Sequence, residues 1–225
     1  MNTFMPFSEL FGAQCRKPSG WLGWLMGPLM NWSHRPLSRW TIELMDIQPH
    51  SSILDIGCGG GMTVREMARI ATGGFVAGVD YSPVMVRQSL KHNAAAVEAQ
   101  RVAVKWGDIA SLPFADASFD RACAIESFNY WPEPVAGLRE VYRVLKDGGL
   151  VVITTAWSKE TDNQPKYAIL AKRMRFPIYT GAEMMAMLTA AGFSSVRFWL
   201  KDGHGWLCAR GVKRANLIDN YADKG

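Results

Sequence analysis

Short continuous apolar runs along this chain alternate with segments whose apolar residues recur every three or four positions. The first kind reads as buried strand, the second as amphipathic helix. Ile53, Leu54 and Ile56 form a short β-favouring run that passes Asp55 and enters a glycine-rich stretch ending at Gly61. Val64, Met67, Ala68 and Ala71 then fall at i, i+3, i+4, i+7, one stripe of a helix. Residues 75–79 and 102–106 are further strands. Between them Ser82 reads as an N-cap and Pro83 as a first helical residue, with an apolar face running from Val86 and Leu90 towards Ala94 and Val97. Residues 119–127 are a fourth strand. The helix that opens at Trp131-Pro132-Glu133-Pro134 puts Leu138, Val141, Tyr142 and Leu145 on one face and stops at Lys146-Asp147-Gly148-Gly149. Residues 150–157 are a fifth strand, and residues 180–191 a helix stopped by Gly192. Residues 195–201 and 206–213 pair antiparallel around Asp202-Gly203-His204-Gly205. Alternation of this kind predicts an α/β domain.

Two segments depart from the alternation. Residues 1–36 are an aromatic, methionine-rich arm with Phe4, Phe7, Phe11, Trp21, Trp24 and Trp32. Gly27-Pro28 is expected to stop any helix after a turn or two. The arm reads in three ways: a lid over the ligand site, a contact to a membrane surface or lipid substrate, or a segment packed on the core. Residues 37–47 are a separate helix, with Leu37, Trp40 and Leu44 on one face and Gln48-Pro49 after it. Residues 159–179 carry Lys166, Lys172, Arg173 and Arg175 with no acid between Gln164 and Phe176. That stretch reads as a cap able to meet an anionic substrate, or as a solvated helix face. Residues after Arg214 read as a polar tail, leaving 37–214 as the ligand-binding domain.

Composition adds bounds. The 225 residues suit one α/β domain with a small appendage, and a hydrophobic share of 48% is ample for its core. Net charge is +5, a surplus too modest to point to nucleic acid. Cys15, Cys58, Cys123 and Cys208 are scattered and read as reduced thiols. His34, His50, His92 and His204 form no metal-spaced group, so each is expected on the surface or incidentally in the core, and no metal is expected. No apolar run approaches a membrane span, and the start lacks a secretory pattern, so a cytoplasmic location is expected.

The chemistry centres on the glycine turn. A nearly side-chain-free loop between strand and helix lets a ligand lie against backbone N–H groups. A dinucleotide site wants G-x-G-x-x-G, but Met62 stands where the third glycine would be. The glycines fall instead at Gly57, Gly59 and Gly61, two places after Asp55. Asp80, at the tip of the second strand, is placed to accept hydrogen bonds from both hydroxyls of a ribose.

Asp55 with that G-x-G-x-G spacing resembles the first motif of the class I S-adenosylmethionine (SAM)-dependent methyltransferases. The stretches VDYSPVMVRQSL and LREVYRVLKDGGLVVITT resemble later parts of the same family, in the right order. The resemblance spans about residues 37 to 213. It implies a Rossmann-like, seven-stranded, mostly parallel sheet with an antiparallel last strand and helices on both faces. It implies SAM as cofactor, with S-adenosylhomocysteine as product, and an in-line methyl transfer to an O, N or C nucleophile of a small organic substrate. The style is that of ubiquinone- and menaquinone-biosynthesis enzymes, with a hydrophobic or anionic acceptor. The cofactor residues it implies are Asp55, Gly57, Cys58, Gly59, Gly61, Asp80, Tyr81, Ser82, Met85, Asp108, Ile109 and Glu126. Tyr81 and Met85 would flank adenine, and Asp108 would face its amino group with Ile109 on the ring. An alternative role for Asp108 is to cap its own turn. The transfer site is expected among residues 126–131, with Glu126 or Tyr130 as the base if one is needed. A non-catalytic SAM-binding protein with a blocking arm is the rival reading; a dehydrogenase is disfavoured by Met62.

Overall fold

The computed structural model describes residues 7–160, 164–174 and 176–215. The expected polar tail therefore falls almost wholly outside the described residues, as do residues 1–6 and Arg175. Two helices, α1 (Phe7–Arg16) and α2 (Gly20–Leu44), precede β1 (Ser52–Ile56), α3 (Met62–Ile70) and β2 (Phe75–Asp80). Next come α4 (Pro83–His92), α5 (Ala94–Glu98), β3 (Val102–Trp106) and β4 (Phe119–Ile125). A 3₁₀ turn at Phe128–Tyr130 leads to α6 (Pro134–Val144) and β5 (Leu145–Thr155). The chain continues with α7 (Gln164–Met174), α8 (Gly181–Ala190), β6 (Ser194–Lys201) and β7 (Trp206–Val212).

The strands make one seven-stranded sheet in the order β3-β2-β1-β4-β5-β7-β6. The first five strands run parallel, and β7 runs antiparallel to both β5 and β6. Side chains alternate across the sheet and build a core on each face. On one side Leu54, Ala77, Ala122 and Ile153 pack with Leu138 and Val141 of α6 and Met184 and Leu188 of α8. On the other, Ile53, Val76, Cys123 and Val152 pack with Leu37 and Trp40 of α2 and Val64 and Met67 of α3. A sheet covered on both faces explains why its strands read as continuous apolar runs rather than alternating ones.

Four expectations are corrected. Gly27-Pro28 does not stop the arm: α2 is continuous from Gly20 to Leu44 and also passes Pro36. Proline at 28 removes the hydrogen bond to the carbonyl four residues back, that of Trp24. Gln88 Nε2 of α4 donates to that oxygen instead, at 2.6 Å. The apolar face of α4 does not run on to Ala94: the helix ends at His92, and Asn93 Nδ2 donates to the carbonyls of Ser89 and Gly61. The Lys146–Gly149 stretch is not a loop between helix and strand. It belongs to β5, where Phe119 pairs with Leu145 and the register slips before Arg121 meets Leu150. The fourth strand ends at Ile125, because Glu126 takes φ 55°, outside the strand region.

The basic segment after β5 forms α7, which packs on α1. Gly12 of α1 makes the approach close, since a Cβ there would lie 3.1 Å from Met174 Cα. Thr180 caps α8 in a reciprocal capping box with Glu183, as its position at the predicted helix start requires. No helix among the described residues is long and apolar enough to cross a membrane.

Candidate functional site

The chain crosses from β1 to β2 on one side and reaches β4 on the other, so a crevice opens at the carboxyl end of β1. A cavity of about 550 Å³ fills it, floored by the glycine turn and roofed by the end of α1 and by α2. Its size is ordinary for a cofactor or substrate site.

The turn is locked to β2. The N–H groups of Gly57 and Cys58 both donate to the Val79 carbonyl, at 2.8 and 3.1 Å. The N–H of Gly59 donates to Asp80 Oδ2 and that of Ser82 to Asp80 Oδ1, each at 2.8 Å. Asp80 thus holds both sides of the crevice with one carboxylate. Burial pushes its carboxyl up, while the two backbone donors pull it back. Gly57, Gly59 and Gly61 all have positive φ, the region where a side chain is strained. They do different jobs. A Cβ on Gly57 would overlap Ser127, and one on Gly61 would overlap Ser89 and Asn93, whereas one on Gly59 would meet nothing within 4 Å.

Asp55 is 2% exposed yet lines the cavity. Its Oδ1 accepts from the Cys123 thiol at 3.5 Å, and its Oδ2 has no hydrogen-bond partner among the described residues. Burial pushes its carboxyl up to about 7, with Cys123 opposing and Asp80 adding to the rise. The Cys58 thiol is also pushed up by burial, which keeps it protonated and inert.

Most of the residues implied for the cofactor line this cavity: Asp55, Gly57, Cys58, Gly59, Asp80, Tyr81, Met85, Asp108, Ile109 and Glu126. Gly61 and Ser82 do not. Gly61 is the N-cap of α3, and Ser82 is buried as the N-cap of α4, its hydroxyl donating to the Pro18 carbonyl. Asp108 does two things at once, lining the cavity while its Oδ1 accepts from the Ala110 N–H at 2.9 Å. Tyr81 stacks on Trp106 at 6.2 Å, and Lys17 Nζ sits 3.8 Å over the Tyr81 ring.

Beyond the glycine turn the lining changes character. Tyr130, Trp131, Pro132, Pro177 and Tyr179 give an apolar and aromatic wall. Glu126 is sheltered among them, and its Oε1 accepts from the Ala156 N–H. Burial pushes the Glu126 carboxyl up, and the charge of His34 opposes this. Burial, with Cys15 and Glu126, also pushes the Tyr130 phenol up. Asn129 is buried and lines the cavity; its Nδ2 donates to Thr155 Oγ1 at 3.2 Å, and its Oδ1 has no partner among the described residues.

Sequence reasoning missed Cys15, Arg16, His34 and Ser38, all on the cavity wall. His34 is thus neither a surface nor an incidental core residue, contrary to expectation. The available signal was the four-residue spacing of His34 and Ser38, which puts both on one face of an uninterrupted α2. Reading a stop at Pro28 hid it. No group of His, Cys, Asp and Glu among the described residues could hold a metal ion.

The donor set fits SAM. Carboxylates at Asp55, Asp80, Asp108 and Glu126 line the cavity. A ligand with an ammonium, a sulfonium and a ribose diol complements such a wall, and a pyrophosphate would be repelled by it. Asp55 Oδ2 is an acceptor waiting for a donor inside the glycine turn.

Comparison with known proteins agrees. Residues 54–153 match the family model of a methyltransferase domain. An uncharacterized methyltransferase, YdaC, of Bacillus subtilis (strain 168) is 28% identical over 79% of this chain and 91% of its own length. A 24-methylenesterol C-methyltransferase of Oryza sativa subsp. japonica is 37% identical over 53% of this chain, which spans only 34% of that protein. The fold matches a chain in the complex between the Haloferax volcanii Trm112 methyltransferase activator and a methyltransferase. The TM-score there is 0.73 at 20% identity, covering 94% of this chain and 100% of that one. Motif, cavity, sheet order and relatives converge: residues 54–153 match a methyltransferase domain, and the chain is similar in sequence and fold to SAM-dependent methyltransferases.

Proposed function

We propose that this protein moves the methyl group of SAM to a nucleophile of a small, hydrophobic or anionic organic acceptor. The observation that carries the reading is the division of one cavity into an acidic, glycine-floored end and an aromatic end that meet at Glu126. When bound, SAM supplies a methyl on a sulfonium, already activated for displacement. The chain's own contribution is placement and exclusion of water.

Asp80 would hold the ribose, because its oxygens are fixed by Gly59 and Ser82 and retain lone pairs facing the cavity. Asp55 Oδ2 would take an ammonium N–H, and Gly59 would let the cofactor lie on the backbone. Tyr81 and Met85 would flank the adenine, with Asp108 and Ile109 at its other edge. At the aromatic end Arg16 would attract an anionic group of the acceptor and Asn129 Oδ1 would accept a hydrogen bond from it.

Glu126 is the better base of the two candidates. Its raised carboxyl takes up a proton more readily than an exposed one at neutral pH. Tyr130, pushed the other way from usefulness as a phenolate, stays protonated and serves as a hydrogen-bond donor. The cavity persists beneath α1 and α2, which supports turnover over a site blocked by the arm.

The test is calorimetric titration with S-adenosylhomocysteine, with NAD in parallel, followed by transfer of labelled methyl from SAM to a panel of small phenols, amines and carboxylic acids. Binding of S-adenosylhomocysteine and label transfer to a panel member are expected. Binding of NAD in its place, or tight S-adenosylhomocysteine binding with no transfer to any acceptor, would overturn the catalytic reading.

A further inference from the structure

The positive charge of this protein is not spread over it. Residues 10–42 carry Arg16, Lys17, Arg35 and Arg39 and no acidic residue. Residues 163–182 carry Lys166, Lys172, Arg173 and Arg175, again with no acid. The chain as a whole is only +5, so everything outside these two stretches is net acidic. The fold brings the stretches together, since α7 packs on α1 and α1 contacts α2. Both border the cavity, through Arg16 and His34 on one side and Pro177 and Tyr179 on the other.

The same roof exposes large apolar side chains in a line. Trp21, Trp24, Leu25 and Trp32 are 79%, 61%, 58% and 75% exposed. On α2 they fall at i, i+3, i+4 and i+11, a single stripe at helical spacing. Arg35 and Arg39 continue that stripe, and Leu37, Ser38 and Thr41 fill the buried face opposite. Arg35 is shared with Glu66, at 3.4 Å; Arg39 is exposed. On α7, Ile169 is 57% exposed beside Lys172 and Arg173. Isolated exposed apolar residues need no explanation, but aligned tryptophans within a stretch, residues 10–42, that carries no acid do.

We propose that this roof is a docking surface for an anionic lipid membrane. The stripe lies on the exposed face of a single helix, which suits a planar apolar boundary. Tryptophan is the side chain that best tolerates the headgroup level, apolar in its body with one N–H to hydrate. The surrounding cations supply attraction to acidic headgroups and would be screened by salt. Docked this way, α1 and α2, which border the cavity, lie against the bilayer. The inference stands on the roof alone and does not depend on the identity of the cofactor.

The experiment is cosedimentation of the full-length chain with vesicles of phosphatidylglycerol and phosphatidylcholine in equal parts, against pure phosphatidylcholine. Binding to the anionic vesicles at low salt, weakened by added salt, is expected. The combined variant Trp21→Ser, Trp24→Ser, Trp32→Ser should bind at least about tenfold more weakly, while its S-adenosylhomocysteine titration matches that of the parent. A parent that ignores anionic vesicles overturns the proposal, as does a triple variant that binds them equally well. So does a parent dimer that the triple variant disperses, which would make the stripe a contact between copies. Displacement of the chain from vesicles by a structured RNA at equal charge concentration would assign the patch to nucleic acid. Failure to bind S-adenosylhomocysteine would leave the vesicle result standing.

Discussion

Gln88 Nε2 donates to the carbonyl oxygen of Trp24 at 2.6 Å, the oxygen that Pro28 leaves without its helical partner. One side chain thus repairs a proline break in α2 and ties the roof of the cavity to α4. The Ser82 hydroxyl, bonded to the Pro18 carbonyl, makes a second tie a few residues away. Roof and floor of the cavity therefore share α4, which begins right after Asp80 and Tyr81.

Replacing Gln88 by Leu should loosen the roof without unfolding the domain. The bond is exposed, so water can replace it, and the loss is about 1 kcal/mol. Amide hydrogen exchange over residues 20–32 should quicken while the melting temperature hardly moves. A melting temperature that falls as far as for a core truncation would show that the tie is part of the core.

Pro28→Ala should raise stability, because the new N–H can bond the Trp24 carbonyl, which has a second lone pair for Gln88. A rise in the chemical denaturation midpoint is the readout.

The glycines of the turn should separate by function. Gly61→Ala forces a Cβ to within 2.2 Å of Ser89 Oγ at φ 80°, so it should cost several kcal/mol or abolish folding. Gly59→Ala meets nothing within 4 Å and carries only left-handed strain, about 1 kcal/mol. Its Cβ nonetheless stands where a ligand would lie. Calorimetry should show S-adenosylhomocysteine binding weakened at least about tenfold at nearly unchanged stability.

Asp80→Ala should lose both at once. It removes the acceptor of two backbone N–H groups, at about 1.5–3 kcal/mol each for a charged acceptor, and with them the shape of the crevice. Asp80→Asn keeps one acceptor oxygen and should fall between the two in S-adenosylhomocysteine affinity.

Stability should depend on pH through Asp55. Its folded carboxyl, near 7, lies above the ordinary value of 3.8, so the folded state holds a proton that the unfolded state releases. Stability from this residue is full below about pH 4, declines as pH rises to about 7, and is flat above that. The total is at most about 4 kcal/mol. Asp55→Asn should remove this slope and raise stability at pH 8, while weakening S-adenosylhomocysteine binding. A denaturation series from pH 5 to pH 8 on both proteins decides it; an Asp55→Asn curve parallel to the parent's would refute the assignment.

The order of elements was legible because each rule involved is local. Strand runs, the Ser82-Pro83 start and the glycine turn all depend on residues within one turn of chain. The spacing of Asp55, Gly57 and Gly59 was enough to anticipate the glycine-floored end of the cavity, since the strand-to-helix turn builds that end from consecutive residues. The aromatic end is different. His34, Arg16 and Tyr179 come from three separated segments, and no periodicity relates them. Propensity says that Pro28 ends a helix, and in isolation it would. Here Gln88, 64 residues beyond Trp24, supplies the missing donor, and packing of Leu37 and Trp40 on the sheet stabilises the rest. Local sequence therefore determined the sheet, the turn and the floor of the cavity. The roof, with its histidine inside and its tryptophans outside, was decided by long-range contacts that compensate a locally unfavourable residue.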